Sequence, residues 1–507
     1  MRQLNNLGDL IDPQLPRERL ALIDLGGESG PRELSYGQLQ ALIQATARAL
    51  VRHGLQRGDR VAILSANRSE YLAAYFGAMQ AGFVPVPVNH RFPRELSDFV
   101  IGDAGAKLVF CDAERLTACP DGLPVIVFST TPHALPAGTQ AFASFLDPGP
   151  FEPVMPAADE PAMFLYTSGS TGRPKGVVLS HRSHLWVVGA RMRAQDVSSH
   201  RFLIAAPLYH MNALGLSKLA IAAGATIVLL PQFSSLGYID AISRYHCSWL
   251  TAVPPMVAMM LRETEALARA DLSSVAYLRM GSAPVSPSLL EAIHRVLPQA
   301  VVLNAYGSTE AGPVIFGPHP KGLPQPPLSV GYPHREVQLR LVDGDDEDAR
   351  QGVLQLRSPG VMLGYHNRPE IRMPFTADGY YVSGDVFRRD DDGFHYFVGR
   401  TDDMFVCGGE NIYPGEVEKL LESHPDIVQA CVVPIDDDIK GSKPAAFCVL
   451  REGATLSEDE VKRFTLLHGP AFRHPRFIWF ETRLPLAATN KIDRKALQAL
   501  AQQRAQL

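Results

Sequence analysis

The sequence lacks an excess of charge of either sign. Across 507 residues, 48 Lys and Arg stand against 53 Asp and Glu, a net charge of −5. No general affinity for nucleic acid or an anionic membrane face is implied. Long hydrophobic runs are also missing. The longest, Leu219 to Leu230, contains Gly224 and Thr226 and suits a buried core element rather than a membrane span. Cysteine is sparse: Cys111, Cys119, Cys247, Cys407, Cys431 and Cys448 are scattered, with no CxxC pair. Neither a zinc site nor a disulfide framework is suggested, and a reducing cytoplasm is the expected location. The start Met1-Arg-Gln-Leu-Asn-Asn has no secretory apolar segment. Several signatures are absent as well. There is no Gly-x-Ser-x-Gly elbow, which argues against an esterase, and no Gly-x-Gly-x-x-Gly after a strand, which argues against a Rossmann dehydrogenase.

What remains is an ordinary globular composition, 46% apolar and 20% charged, in a chain too long for one core. Leu39, Leu42, Ile43, Ala47, Leu50 and Val51 recur at helical spacing, and Gly54 offers a stop. Strand-like Val61–Leu64, a helix from Tyr71 to Gln80, strand-like Val84–Val88 and Val125–Phe128 continue the alternation. It resumes with strands expected at Thr226–Leu230, Leu250–Val253 and Val301–Leu303. This is the pattern of layered α/β structure with parallel pairing. After Gly312 the texture changes. A loop with six prolines runs from Pro318 to Pro333, and then Val337–Val342 and Gly352–Arg357 alternate as a small antiparallel β unit. Beyond Gly399-Arg-Thr-Asp-Asp403 a self-contained α+β module follows, with helices at Pro414–Glu422 and Ser457–His468 and strands at Val428–Pro434 and Ala445–Leu450. The expected division is a large α/β domain over 1–400, a hinge at 401–402 and a smaller mobile α+β domain over 403–507.

The densest chemical signal is Tyr166-Thr-Ser-Gly-Ser-Thr-Gly-Arg-Pro-Lys-Gly176. Hydroxyls and unhindered backbone N–H groups are what a polyphosphate needs, and Lys175 adds a positive point charge. The spacing is not that of the common phosphate loop, because Arg173 and Pro174 separate Gly172 from Lys175. The segment resembles the signature loop of the adenylate-forming superfamily, which includes acyl- and aryl-CoA ligases, luciferases and peptide-synthetase adenylation domains. The resemblance extends from Leu34-Ser-Tyr-Gly-Gln-Leu39 to Lys491, with several motifs in order.

The resemblance implies roles, residue by residue. Thr167, Ser168, Gly169, Ser170, Thr171, Gly172 and Lys175 would cradle the phosphates of ATP. Asn304-Ala-Tyr-Gly-Ser-Thr-Glu310 is similar to the adenine- and metal-binding motif. Within it Asn304, Ala305, Tyr306 and Gly307 would face the nucleotide, Thr309 the α-phosphate and Glu310 a Mg²⁺ ion. In Tyr381-Val-Ser-Gly-Asp385, Asp385 would accept the ribose hydroxyls and Arg400 would assist, while Val382 and Ser383 depart from the usual pattern. Lys491, in Pro485-Leu-Ala-Ala-Thr-Asn-Lys491, matches the catalytic lysine, with Asn490 where the family has glycine. Asp402 matches the hinge. Gly408 and Gly409 would pass the pantetheine arm of CoA, and Arg473, Arg476, Lys440 and Lys443 would hold its phosphates. In Pro207-Leu-Tyr-His-Met-Asn-Ala-Leu214, His210 would gate the acyl site, with catalytic roles for Lys491, Glu310, His210 and Thr167. Met211, Leu214, Val253, Met256, Ser282, Ala283 and Ile315 would supply a mainly apolar acyl pocket.

The resemblance implies that an amino-acid substrate would need an aspartate in this region to pair with its amine; none accompanies His210, so such a substrate is not expected. Lys218 is the odd residue of that stretch. It would either meet a second carboxylate on the substrate or, more commonly for such a lysine, reach the surface. The implied activity is an ATP-, Mg²⁺- and CoA-dependent ligase for an aliphatic or aryl carboxylic acid. Delivery to a carrier protein or another acceptor, and a non-catalytic nucleotide-binding homologue, stay open as alternatives. So do the oligomeric state, a homodimer included, and the acid itself.

Overall fold

The computed structural model describes residues 4–27, 30–129, 135–168, 173–281, 283, 285–407, 410–437, 441–487 and 491–505. Two mainly parallel sheets form the body of the large domain. One has five strands in the order Val84–Pro87, Arg60–Leu64, Ala106–Cys111, Val125–Val127, Thr139–Ala141. The other has seven, in the order Val301–Ala305, Tyr277–Gly281, Trp249–Ala252, Arg201–Ile204, Thr226–Leu229, Leu20–Asp24, Arg32–Ser35, and only its last pair is antiparallel. Strands covered on both faces need apolar residues at successive positions, which Val61-Ala-Ile-Leu64 and Phe202-Leu-Ile204 supply.

Helices fill the space between. Ser69–Gln80 is buried along its whole length, and Tyr36–Arg52 packs on it, capped by Ser35 and Gln38 in a capping box. A Cβ on Gly77 would lie 2.8 Å from the Ile43 carbonyl oxygen, so glycine there permits the close approach of the two helices. The apolar run from Leu219 resolves into the end of helix Met211–Ala223, a left-handed Gly224 and the strand Thr226–Leu229. Among the described residues, no helix is long and apolar enough to cross a membrane.

Lys218 departs from the surface placement that its residue type favours. Its neighbours Ser217, Leu219 and Ala220 are buried too, so the side chain has no path to water. Its Nζ lies 3.2 Å from His184 Nδ1 and 3.7 Å from Met163 Sδ. Among the described residues no ion pair joins it to a carboxylate. Burial pushes its pKa down to about 7 and drives that of His184 well below the imidazole range.

Two β units complete the large domain. Pro161–Ser168 and Pro174–Ser180 form an antiparallel hairpin, extended by the short strand Gly364–Tyr365. Gln338–Val342, Gln351–Arg357, Tyr381–Arg389 and His395–Arg400 form a four-stranded antiparallel sheet. The chain leaves that sheet at Arg400, turns over 401–403 and enters a separate sheet containing Phe405–Cys407, Glu410–Ile412, Gly441–Leu450, Ile427–Asp437 and Phe477–Phe480. Helices Pro414–Glu422, Glu458–His468 and Arg494–Arg504 cover this smaller module, which has its own cores around Val417, Ile427 and Val461 and around Val433, Phe447 and Leu497. The fold is mixed α/β, a large domain of layered subdomains and a smaller C-terminal one.

Candidate active site

The hairpin Pro161–Ser168/Pro174–Ser180 places the Ser/Gly loop at its tip, with Thr167 opposite Lys175. Gly169, Ser170, Thr171 and Gly172, with the side chain of Ser168, lie outside the described residues. The base of the hairpin is tied down. Tyr166 Oη donates to Asp103 at 2.6 Å, and Arg368 reaches the same carboxylate at 2.8 Å and the Pro174 carbonyl at 3.3 Å. Thr167 Oγ1 is buried and makes no hydrogen bond, an open donor beside the loop. Lys175 Nζ donates to Tyr365 Oη at 3.0 Å and sits 4.1 Å from the ring centroid; Tyr365 Oη in turn donates to Glu310 at 3.4 Å. One tyrosine therefore links Lys175, expected at the phosphates, to Glu310, expected at the metal.

Strand Val301–Ala305 delivers the second motif at its carboxyl end, where open α/β sheets bind ligands. Asn304 donates to the Leu328 carbonyl at 2.9 Å and steadies the neighbouring loop. A Cβ on Gly307 would fall 2.8 Å from Pro313 Cα, so the turn requires glycine. Tyr306 donates its hydroxyl to Asp385, and its ring meets Phe387 edge-on at 4.7 Å. Thr309 is half-buried in the turn, and the Glu310 carbonyl accepts from Met362 N at 2.8 Å. No cluster of three or more His, Cys, Asp or Glu forms among the described residues. A Mg²⁺ ion held here would therefore rely on the Glu310 carboxylate, substrate phosphate oxygens and water. That donor set fits the ion's habit of keeping several waters.

Asp385 lies opposite Arg400 in the antiparallel sheet, with 3.7 Å between Oδ1 and Nε. Burial raises its pKa, while the Tyr306 hydrogen bond, Arg400 and Lys491 pull the other way. Ser383 donates to the Leu354 carbonyl at 2.8 Å and accepts from Asp385 N at 3.0 Å, so this variant residue has a structural task.

Lys491 sits at the edge of a small hairpin in which Ala487 N donates to its carbonyl at 2.7 Å and Leu486 faces Ile492; residues 488–490 lie outside the described set. Just beyond, Arg494 grips Glu418 through two bonds of 2.6 and 2.7 Å and donates to the Val432 carbonyl at 3.0 Å. The Lys491 side chain stays accessible from the cleft, yet the cleft walls, followed by Arg400, lower its pKa, against the opposing pull of Asp385 and Glu310. His210 is pushed down to about 3 by burial and then by Lys491, Arg91 and His90, and its Nε2 is buried without a partner. Glu310, Asp385, Arg400, His210 and Lys491 thus share one cleft between the two domains.

Other expected residues are spread further. Gly408, Gly409 and Lys440 lie outside the described residues. Arg473 is paired with Glu416 at 2.8 Å, Lys443 forms an ion pair with Asp437, and Arg476 is held by its backbone N to the Pro444 carbonyl at 2.7 Å. Asp402 is exposed and 3.6 Å from Arg400 Nη2. Met211, Leu214 and Ile315 belong to the core on one face of the seven-stranded sheet, whereas Val253 and Met256 belong to the core on the other, with Leu278 and Met280. Ala283 is half-buried and Ser282 is outside the described residues. Four residues that motif reading passes over stand near the cleft: Tyr365, and the group Arg191, Asn212 and Arg279. Arginine at the centre of a buried parallel strand is a legible anomaly; Tyr365 has no local signature.

Comparison with known proteins gives a family match across both domains. The family model described as AMP-binding enzyme matches residues 13–366, and that of the AMP-binding enzyme C-terminal domain matches 416–491. A feruloyl-CoA synthase of Amycolatopsis sp is 32% identical over 473 residues, covering 91% of this chain and 93% of the relative. The 4-coumarate–CoA ligase 2 of Oryza sativa subsp. japonica is 31% identical over 503 residues, covering 92% and 88%. The solved structure of the anthranilate CoA ligase AuaEII in complex with anthranoyl-AMP superposes with a TM-score of 0.89 at 24% identity, over 99% of this chain and 98% of that one.

Proposed function

The chain belongs to the AMP-binding enzyme family, and from that premise we propose that it is a cytoplasmic acid–thiol ligase, joining a carboxylic acid to CoA through an acyl-AMP. The observation that carries the proposal is the convergence of Lys491 from the small domain with Glu310, Asp385 and Arg400 from the large one. A carboxylate attacking the α-phosphorus of ATP brings two anions together. The reaction depends on positioning and charge neutralisation more than on covalent help. Lys491 offsets charge on the carboxylate and on the oxygen that leaves with pyrophosphate. Thr167 and Lys175 orient the phosphates, and the Asp385–Tyr306–Arg400 set holds the ribose. Mg²⁺, held at Glu310 with the phosphates, would supply further charge neutralisation. His210, neutral at physiological pH because its pKa lies near 3, closes the acyl site without adding a cation. In the second half-reaction the CoA thiol attacks the acyl carbon and AMP departs.

ATP–pyrophosphate exchange over a panel of acids tests this reading, with CoA consumption as the second readout. Exchange dependent on an acid, and lost by at least about 100-fold in Lys491→Ala while supplied acyl-AMP still forms thioester, is expected. Absence of exchange with every acid, or equal loss of both half-reactions, would contradict the assignment.

A further inference from the structure

One arginine of the seven-stranded sheet and one of the helix beside it have no carboxylate partner among the described residues. Arg279 is the central residue of strand Tyr277–Gly281. Its neighbours Leu278 and Met280 point into the core with Met256, so the pleat turns Arg279 to the opposite face, toward helix Met211–Ala223. There its Nη1 makes a 3.4 Å contact with Asn212 Oδ1, which also accepts from Thr251 Oγ1 at 3.2 Å. An arginine only donates, which fixes the amide with its oxygen toward Arg279. The amide nitrogen Nδ2 is then buried with no partner. Arg191, near the end of helix His181–Ala194, comes close enough to repel Arg279 and spends one donor on the Pro313 carbonyl at 3.0 Å. Among the described residues neither arginine forms an ion pair with Asp or Glu. Arg193, two residues on, is paired with Glu336 at 3.0 Å.

Burial drives the Arg279 pKa well below the usual arginine range, with Arg191 adding to it, and brings Arg191 to about 10. Both keep some accessible surface and are not sealed into packed core. Recessed cations without counter-ions are costly unless something else supplies the charge. Position says what. Gly281, two residues on, pairs with Ala305, the residue before Tyr306. At about 3.3 Å per residue, Arg279 therefore lies about 7 Å below the edge where the nucleotide site begins. Asn212 follows His210 and Met211 directly.

We infer that Arg279, with Asn212, forms a specificity site for a second anionic group at the far end of the acid, so that the substrate class is dicarboxylic rather than a simple fatty or aryl monoacid. The inference rests on the ligase reading above, and it gives the role considered for Lys218 to a different residue.

The test compares matched pairs, adipate against hexanoate and terephthalate against benzoate, by ATP–pyrophosphate exchange in the full-length wild type, Arg279→Met and Arg279→Lys. In wild type, at least one diacid should exceed its monoacid in kcat/KM by about 10-fold or more. Arg279→Met should invert that preference through a 10- to 100-fold loss on the diacid, the size expected for charge-assisted hydrogen bonds. Arg279→Lys should retain part of it. Thermal unfolding of each variant confirms folding, and Asn212→Leu, expected to narrow the preference, replaces any variant that does not fold. Wild type favouring the monoacids in both pairs, or a preference that the substitutions leave unchanged, overturns the inference while leaving the ligase reading intact. No exchange with any of the four acids or with a wider panel overturns both.

Discussion

At the scale of single residues, the two buried cationic types in this fold behave differently. Lys218 has a histidine and a thioether beside it and no opening to a cleft. Its folded pKa of about 7 is below its ordinary 10.5. Stability is therefore greatest above about pH 10.5 and is lost as pH falls through 7, because the unfolded chain holds the proton more tightly. Lys218→Met should raise the melting temperature at pH 7, and the gain should shrink toward pH 10; a gain that does not change with pH would show that burial of charge is not its source. Arg279, by contrast, keeps some accessible surface, and the second anion proposed for the substrate would answer its charge. Lys218 and Arg279 look alike in sequence, each a lone cation in an apolar stretch. Only the pleat of the strand and the depth of the helix distinguish them.

At the scale of elements, Lys491, the lysine proposed to act in adenylation, depends on a small hairpin whose anchor is a helix. Arg494, at the start of Arg494–Arg504, fixes that hairpin to Glu418 on Pro414–Glu422. Arg494→Met would leave the Glu418 carboxylate buried and half-answered, with Val432 N still donating at 2.8 Å. We expect a loss of about 1.5–3 kcal/mol in urea unfolding of the small domain. We also expect adenylation to fall by up to about 100-fold as Lys491 loses its position. Stability loss with unimpaired adenylation would separate the anchor from the chemistry. Much of the element layout is legible in the sequence, because periodicity and caps are local. Pro414–Glu422 begins at a proline and Glu458–His468 at the Ser457 cap, and both helices were expected there. The hairpin under the Ser/Gly loop was not legible, since antiparallel pairing of 161–168 with 174–180 leaves no periodic mark that differs from two core strands.

At the scale of the whole molecule, one short turn at 401–403 joins two independently cored domains, and the cleft between them holds Glu310, Asp385 and Arg400 together with Lys491. We expect rotation at Asp402 to exchange the face of the small domain presented to the cleft, with Lys491 serving adenylation. Asp402 is exposed and makes one long ion pair, so its substitution should do little to stability. Asp402→Pro should preserve pyrophosphate exchange and slow acyl-CoA formation by about 10-fold or more, a stiffened hinge acting on the second step. Equal rates for both steps in this variant would remove the hinge from the reaction.

The linear chain alone determined the family, the order of the motifs and the two-domain division, because phosphate-binding loops, helix caps and strand runs are written in short contiguous stretches. Only the tertiary structure decided that Tyr365 bridges Lys175 and Glu310, that Lys218 is sealed away, that Val253 and Met256 face the far core and that Arg279 takes the face turned toward helix Met211–Ala223. Each of those is set by which face of a sheet or helix a side chain takes and by what packs against it. That is a property of long-range pairing, which no local pattern encodes.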